Sequence, residues 1–130
     1  MDEIGDYMAT PVVRIDSEAS ITEAAEIMNA NNIGSLIISK LGDDVGIVTE
    51  RDLSQKVLAL NKNPENVNVS EIMTTPILSM DRYYPVDQAN EFMRKNKIRH
   101  LAVTEEDKIV GLLSVSNLVA YFSKSFRMQE

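Results

Sequence analysis

A hydroxyl side chain followed three positions later by a carboxylate is the clearest chemical pattern in the chain. Thr49 and Asp52 lie where a predicted strand, ending Gly46-Ile47-Val48, passes into a predicted helix. Such a pair can act simply as a helix cap, because each side chain accepts a hydrogen bond from the other residue's backbone N–H. A carboxylate in a first helical turn can also accept two hydrogen bonds from a vicinal diol such as a ribose. The residues alone leave both roles open.

A second candidate feature is a cluster of basic side chains within seven residues. Its members are Arg94, Lys95, Lys97, Arg99 and His100. The cluster could bind phosphate, or it could be a solvated helix end, since cations suit the negative end of the helix dipole. His100 is the single histidine, and the sequence shows no partners that would make it a metal ligand or part of a nucleophilic triad.

The elements that position these residues occur twice. Residues 8–53 align without a gap with residues 73–118 at a constant shift of 65 positions, and Met8/Met73, Thr10/Thr75, Pro11/Pro76 and Gly46/Gly111 are identical pairs. A repeat of this length indicates two copies of one structural unit. Asp52 aligns with Asn117 and Thr49 with Ser114, so the two copies differ at the pattern described first.

Each copy predicts the order strand, helix, strand, strand, helix, and hence an α/β fold of two small sheets with helices outside. In the first copy, Ile21, Ala24, Ala25 and Met28 form a helical stripe that begins at a Ser20/Glu23 capping box. The second helix is predicted from Glu50 to about Leu60, with Leu53, Val57 and Leu60 inward. The equivalent helix of the second copy carries Leu118, Val119 and Phe122. The predicted boundaries are 7–60 for the first repeat, 61–69 for a polar linker and 70–124 for the second repeat.

Composition excludes several classes of function. The chain has 130 residues and a net charge of −7, which argues against nucleic-acid binding and the phosphate neutralisation that it requires. It contains no cysteine, which excludes disulfides and thiolate metal sites and fits a cytoplasmic protein. No apolar run approaches the length of a membrane span, and the acidic start Met1-Asp2-Glu3 does not resemble a secretory signal.

The two sets of motifs together resemble the cystathionine-β-synthase (CBS) domain family, as a tandem pair of the stand-alone, Bateman type. The first set contains Met8-Ala9-Thr10-Pro11-Val12, Ile33-Gly34-Ser35-Leu36 and Gly46 to Leu53. The second contains Met73-Thr74-Thr75-Pro76-Ile77, Ile98 to Val103 and Gly111 to Leu118. The resemblance covers about Met8 to Tyr121 and implies repeats related by a pseudo-twofold axis, with their sheets packed together. It also implies a homodimer and two clefts for adenosine-containing ligands: AMP, ADP, ATP or S-adenosylmethionine.

Residue by residue, the resemblance assigns a first cleft with both a diol acceptor and cations. Its members are Thr10, Pro11, Val12, Val13, Thr49, Arg51, Asp52, Arg99, His100 and Ser116. Asp52 would hold the ribose hydroxyls, residues 10–13 would line the adenine pocket, and Arg99 and His100 would meet phosphate.

The second predicted cleft should bind a ligand more weakly than the first. Its members are Thr75, Ile77, Leu78, Gly34, Ser35, Ser114 and Asn117. Asn117 is neutral and should hold a diol less firmly than a carboxylate. The one cation within reach would be Arg51.

The sequence therefore predicts a regulatory, non-catalytic module that requires no cofactor and senses an adenosine ligand. Its output would pass through the dimer or to a separate protein partner, not to a membrane. A ligand-free dimerisation scaffold is the main alternative. A nucleotide-processing enzyme is disfavoured because no P-loop, metal cluster or nucleophile–base pair is present.

Overall fold

The computed structural model describes residues 2–128, with only the backbone described for Ser125, Arg127 and Met128. Two compact units make up this part of the chain. The continuous unit comprises residues 13–77, and the split unit joins residues 2–12 to residues 78–128.

The continuous unit is built on a three-stranded mixed sheet. Strand β1 (Arg14–Asp16) pairs in parallel with β2 (Ser35–Lys40), which pairs antiparallel with β3 (Asp43–Thr49). Helix α1 (Ile21–Asn31) connects β1 to β2, and a short helix α2 (Glu50–Leu53) follows β3. The chain continues from α2 into a π-helical turn over Ser54–Leu58, and a second short helix, α3 (Val69–Ile72), follows the linker.

The split unit repeats this plan. Strand β4 (Ser79–Asp81) is parallel to β5 (His100–Glu105), and β6 (Lys108–Ser114) is antiparallel to β5. Helix α4 (Val86–Asn96) connects β4 to β5, and the last helix, α5 (Val115–Met128), is regular and 14 residues long. The predicted class, two small sheets with helices, is confirmed.

The leading segment of each copy packs in the unit formed by the other copy. Ala9, from the first copy, exchanges two backbone hydrogen bonds with Leu112 at 2.8 and 3.1 Å. Thr74, from the second copy, forms the same two-bond bridge with Ile47 at 2.8 and 3.1 Å. The repeat in the sequence is therefore not the compact unit of the fold, because residues 2–12 complete the split unit and the linker with α3 completes the continuous one.

Two apolar cores stabilise the units. In the continuous unit the predicted stripe residues Ile21, Ala24 and Met28 are buried with β2 and β3 side chains such as Leu36 and Val48. In the split unit Val86, Ala89 and Met93 of α4 are buried with Leu101 and Leu113. The predicted stripe of α1 is thus confirmed except at Ala25, which is exposed.

The second helix of the first copy differs from its prediction. Leu60 is 60% exposed, so its predicted inward position is wrong: the helix has already ended in the π turn. In α5, Leu118 is buried, whereas Val119 and Phe122 are exposed. At the start of α1, Ser20 accepts a hydrogen bond from the backbone N–H of Glu23 at 3.1 Å, which confirms half of the predicted capping box.

The close approach of each leading segment depends on a glycine in the strand beside it. A Cβ placed on Gly46 would lie 2.5 Å from the Met73 Sδ, and one on Gly111 would lie 2.5 Å from the Met8 Sδ. At Gly111 it would also lie 3.1 Å from the carbonyl oxygen of Ala9, which belongs to the backbone bridge itself. A side chain there would therefore push on both a methionine and the paired backbone.

We expect Gly111→Ala to lower the free energy of unfolding by about 1–3 kcal/mol, the usual cost of overpacking. Gly46→Ala should cost less, because its nearest neighbours all belong to the flexible side chain of Met73. Urea denaturation of the two variants at one protein concentration measures the difference. A larger loss in Gly46→Ala than in Gly111→Ala would contradict this account.

Candidate functional site

The start of α2 is organised by reciprocal hydrogen bonds between Thr49 and Asp52. The Asp52 Oδ2 accepts from the Thr49 backbone N–H at 2.9 Å and lies 3.3 Å from the Thr49 hydroxyl. The Asp52 N–H donates to the Thr49 hydroxyl oxygen at 3.4 Å. This capping box satisfies donors that a helix start otherwise leaves unpaired, so the capping role proposed from the sequence is present.

The other carboxylate oxygen of Asp52 has two further donors. The Lys56 ammonium lies 2.9 Å from Oδ1, and the Thr74 hydroxyl donates to the same oxygen at 3.3 Å. The Lys56 ammonium also donates to the backbone carbonyl of Ile72, the last residue of α3, at 2.9 Å. The Asp52 side chain is 10% exposed and that of Lys56 is 43% exposed, so a buried carboxylate is paired with a cation that still reaches solvent.

The equivalent helix start in the split unit lacks the charge. The Asn117 Oδ1 accepts from the Ser114 backbone N–H at 2.8 Å and from the Ser114 hydroxyl at 3.0 Å. The position equivalent to Lys56 is Tyr121, whose ring meets that of Tyr7 edge to face with centroids 5.4 Å apart. Burial, followed by the charge and hydrogen bond of Asp87, raises the pKa of Tyr121 above its usual value. The tyrosine is therefore neutral at pH 7.

The predicted site residues fall into two groups, one in each unit. The continuous unit contains Val13, Gly34, Ser35, Thr49, Arg51, Asp52, Thr75 and Ile77. The split unit contains Thr10, Pro11, Val12, Leu78, Arg99, His100, Ser114, Ser116 and Asn117. The two predicted clefts each draw on both groups, and their composition stays a prediction.

Within each unit, the second helix begins beside the start of the middle strand. Ser35 lies opposite Thr49 in the ladder between β2 and β3, and the Gly34 carbonyl accepts from the Glu50 N–H at 2.9 Å. His100 lies opposite Ser114, and the Arg99 carbonyl accepts from the Val115 N–H at 3.1 Å. In each unit the helix-start pair therefore lies beside the first residues of the middle strand of the same unit.

Two residues that contact Asp52 were missed by sequence reasoning. Lys56 stands four residues after Asp52, an acid-to-base spacing that favours a contact on one helix face, so a local signal was present. Thr74 is 22 residues away and reaches Asp52 only because the bridge to Ile47 brings it there, so no local pattern could have indicated it.

The described residues contain neither a metal-binding cluster nor a membrane-spanning helix. Among residues 2–128, no group of three or more His, Asp or Glu side chains could hold a metal ion. No helix in the same range is both long and apolar enough to cross a membrane.

A family model described as "CBS domain" matches residues 4–59 and 69–124. Among relatives, the CBS domain-containing protein YhcV of Bacillus subtilis is 27% identical over 118 residues, which cover 91% of this chain and 84% of YhcV. An L-aspartate semialdehyde sulfurtransferase of Methanocaldococcus jannaschii is 31% identical over 121 residues, or 92% of this chain but only 23% of that protein.

One similar solved structure contains bound adenosine ligands. The CBS domain pair of protein MJ0100, in complex with 5′-methylthioadenosine and S-adenosyl-L-methionine, is 30% identical and superposes with a TM-score of 0.85. The match covers 95% of this chain and 98% of that one.

With both halves matched by the family model and the fold shared with a solved pair, the chain belongs to the CBS domain family. It is a tandem CBS pair, and its class is that of a regulatory module.

Because Asn117 forms the same cap as Asp52 without a charge, Asp52→Asn should preserve the helix start. We expect Asp52→Ala to lower the free energy of unfolding by about 1–2 kcal/mol. We expect Asp52→Asn to lower it by less, since the cap is kept and the losses are the half-exposed ion pair with Lys56 and the Thr74 hydrogen bond to Oδ1. Urea denaturation at pH 7 gives both values. Equal losses in the two variants would show that the charge, and not the cap, dominates at this position.

Proposed function

We propose that this CBS pair senses an adenosine-containing ligand, either AMP, ADP, ATP or S-adenosylmethionine, and that Asp52 accepts hydrogen bonds from its ribose. The observation that carries the proposal is the buried carboxylate held at the junction of β3 and α2, with both oxygens oriented by named donors. The adenosine ligands of the MJ0100 pair support this class of ligand. That Arg99 and His100 contact phosphate, and that the protein is cytoplasmic, stay predictions from the sequence.

The proposed output is a change in which binding partner or dimer arrangement is favoured. A ligand shifts such an equilibrium only through a difference in affinity between the two states. On this proposal the chain carries out no catalysis; the sulfurtransferase named above is a protein of which it spans less than a quarter.

Calorimetric titration of the four ligands into wild-type protein, Asp52→Ala and Asp52→Asn tests the site. We expect about one ligand per chain in the wild type, and roughly tenfold weaker binding in Asp52→Asn, because hydrogen bonds to a charged acceptor are about twice as strong as neutral ones. Asp52→Ala should bind more weakly still.

The matched control is Asp43→Asn, which removes the same charge from an exposed position at the start of β3. Its affinity should equal that of the wild type. Asn117→Ala should also leave the stronger site intact. If none of the four ligands gives heat with folded wild-type protein, the ligand proposal fails.

A second candidate function, a dimerisation scaffold, is favoured by the outer face of α5. Val115, Val119, Phe122 and Phe126 recur at helical spacing and are 42–65% exposed. An exposed apolar stripe of this kind is typical of an interaction surface. We infer that the stripe contacts a second copy of the chain, which agrees with the homodimer predicted from the resemblance.

We expect wild-type protein to sediment as a dimer, and Phe126→Glu to sediment as a monomer at the same concentration. Leu41→Glu is the control, since Leu41 is 95% exposed at the tip of a hairpin and its replacement should leave the dimer unchanged. A wild-type protein that is monomeric at high concentration would rule out this role for α5. Dimerisation without ligand binding would instead favour the scaffold alone.

A further inference from the structure

The carboxylate of Asp52 has no free acceptor position in the structure. A carboxylate offers about four lone-pair sites, two on each oxygen. Thr49 supplies two donors to Oδ2, and Lys56 and Thr74 supply two donors to Oδ1. A ribose that donates two hydrogen bonds to this group must therefore displace donors that are already bound.

The donors differ in how easily they can leave. The Thr49 N–H would become an unpaired backbone group at a helix start, which is costly. The Lys56 ammonium is 43% exposed and the Thr74 residue is exposed, so both can exchange Asp52 for water. The oxygen Oδ1 is thus the side of the carboxylate that a ligand can take over.

Lys56 and Thr74 also tie Asp52 to the end of α3. The contacts from Lys56 to the Ile72 carbonyl and from Thr74 to Oδ1 join this segment to α2. We call this set of contacts, made by Lys56, Thr74, Asp52 and the Ile72 carbonyl, the latch. The π-helical turn over Ser54–Leu58 includes Lys56, and π turns of this kind are frequent at functional sites.

The repeat provides an internal comparison. In the split unit the positions equivalent to Lys56, Thr74 and Ile72 are Tyr121, Ala9 and Tyr7. There the rings of Tyr7 and Tyr121 pack against each other. This aromatic contact stands in place of the contacts that Lys56 and Thr74 make with Asp52. The latch is therefore present in the unit that contains the Asp52 carboxylate. In the unit that contains Asn117, an aromatic contact takes its place.

We propose that Lys56 is a specificity-determining and coupling residue that competes with the ligand's hydroxyls for Asp52. Only a ligand with a vicinal diol displaces Lys56, and its displacement releases the end of α3 from α2. This inference rests on the proposed function, because it assumes that Asp52 meets a ribose. It adds a mechanism by which ligand binding at Asp52 releases the neighbouring segment at the end of α3.

The test compares ligands with and without the diol. The probes are AMP and ATP and their 2′,3′-dideoxy forms, titrated into wild type, Lys56→Met and Thr74→Val. The readout is the ratio of affinities of each nucleotide to its dideoxy form. This ratio cancels any general effect of losing a positive charge on the binding of phosphate.

We expect Lys56→Met to raise the ratio about threefold to fivefold, the range that a half-exposed ion pair can supply. Thr74→Val should raise it in the same direction and provides an independent variant if Lys56→Met folds poorly. Lys62→Met, which removes the same charge from an exposed linker position, should leave the ratio at the wild-type value.

Hydrogen exchange at the Met73 amide, which donates to the Val69 carbonyl at 3.0 Å, reports on release of the segment. In wild-type protein the exchange should be faster with saturating AMP or ATP than without. In Lys56→Met it should be fast from the start and unchanged by nucleotide.

Failure of the latch and failure of the proposed function give different results. If wild type binds nucleotide and Asp52→Asn weakens it, but Lys56→Met leaves the ratio unchanged or lowers it, the sensor stands and the latch is wrong. If neither AMP nor ATP binds wild type, the competition has no ligand and this inference is overturned together with nucleotide sensing.

Discussion

The two-bond backbone bridge between Ile47 and Thr74 is the constraint on which the geometry around Asp52 depends. It holds a segment from the second copy against the last strand of the first copy, at a point where only the absence of a side chain on Gly46 leaves room for Met73. The bridge places the Thr74 hydroxyl and the end of α3 beside the start of α2. Local capping between Thr49 and Asp52 orients the carboxylate, but the bridge decides what surrounds it.

The same bridge exists in the other unit, between Ala9 and Leu112, and leads to a different result. Alanine brings no hydroxyl, Asn117 brings no charge, and Tyr7 packs on Tyr121. A shared backbone plan thus supports a polar, ion-paired junction in one unit and an aromatic one in the other. Because the backbone is common to both, the difference in expected ligand chemistry lies in a few side chains, as is usual when sites are carried on a repeated scaffold.

The sequence predicted those parts of the structure that follow from local pattern. The apolar stripe of α1 apart from Ala25, the order of the elements and the cap at Thr49 and Asp52 could be predicted because each follows from local sequence pattern. The exchange of leading segments between the units could not be predicted. The repeat period shows that there are two copies, but it does not show which copy each leading segment packs against. The burial of Leu60 was predicted wrongly because periodicity assumes a continuous α-helix, whereas the chain forms a π turn from Ser54.

A carboxylate that is already saturated changes what ribose recognition can achieve. Hydrogen bonds to Asp52 would replace existing ones, so the exchange contributes no more than the roughly 1.4 kcal/mol that corresponds to the expected tenfold effect of Asp52→Asn. The affinity for an adenosine ligand must then come mainly from its base and its charged groups. The diol would instead supply selectivity and coupling, because it distinguishes two arrangements of Lys56 and Thr74 that a ligand without hydroxyls leaves alone. Capping and sensing, which the sequence leaves as alternatives, are compatible on this view: Thr49 keeps one oxygen of Asp52 in the helix cap while the other oxygen is exchanged.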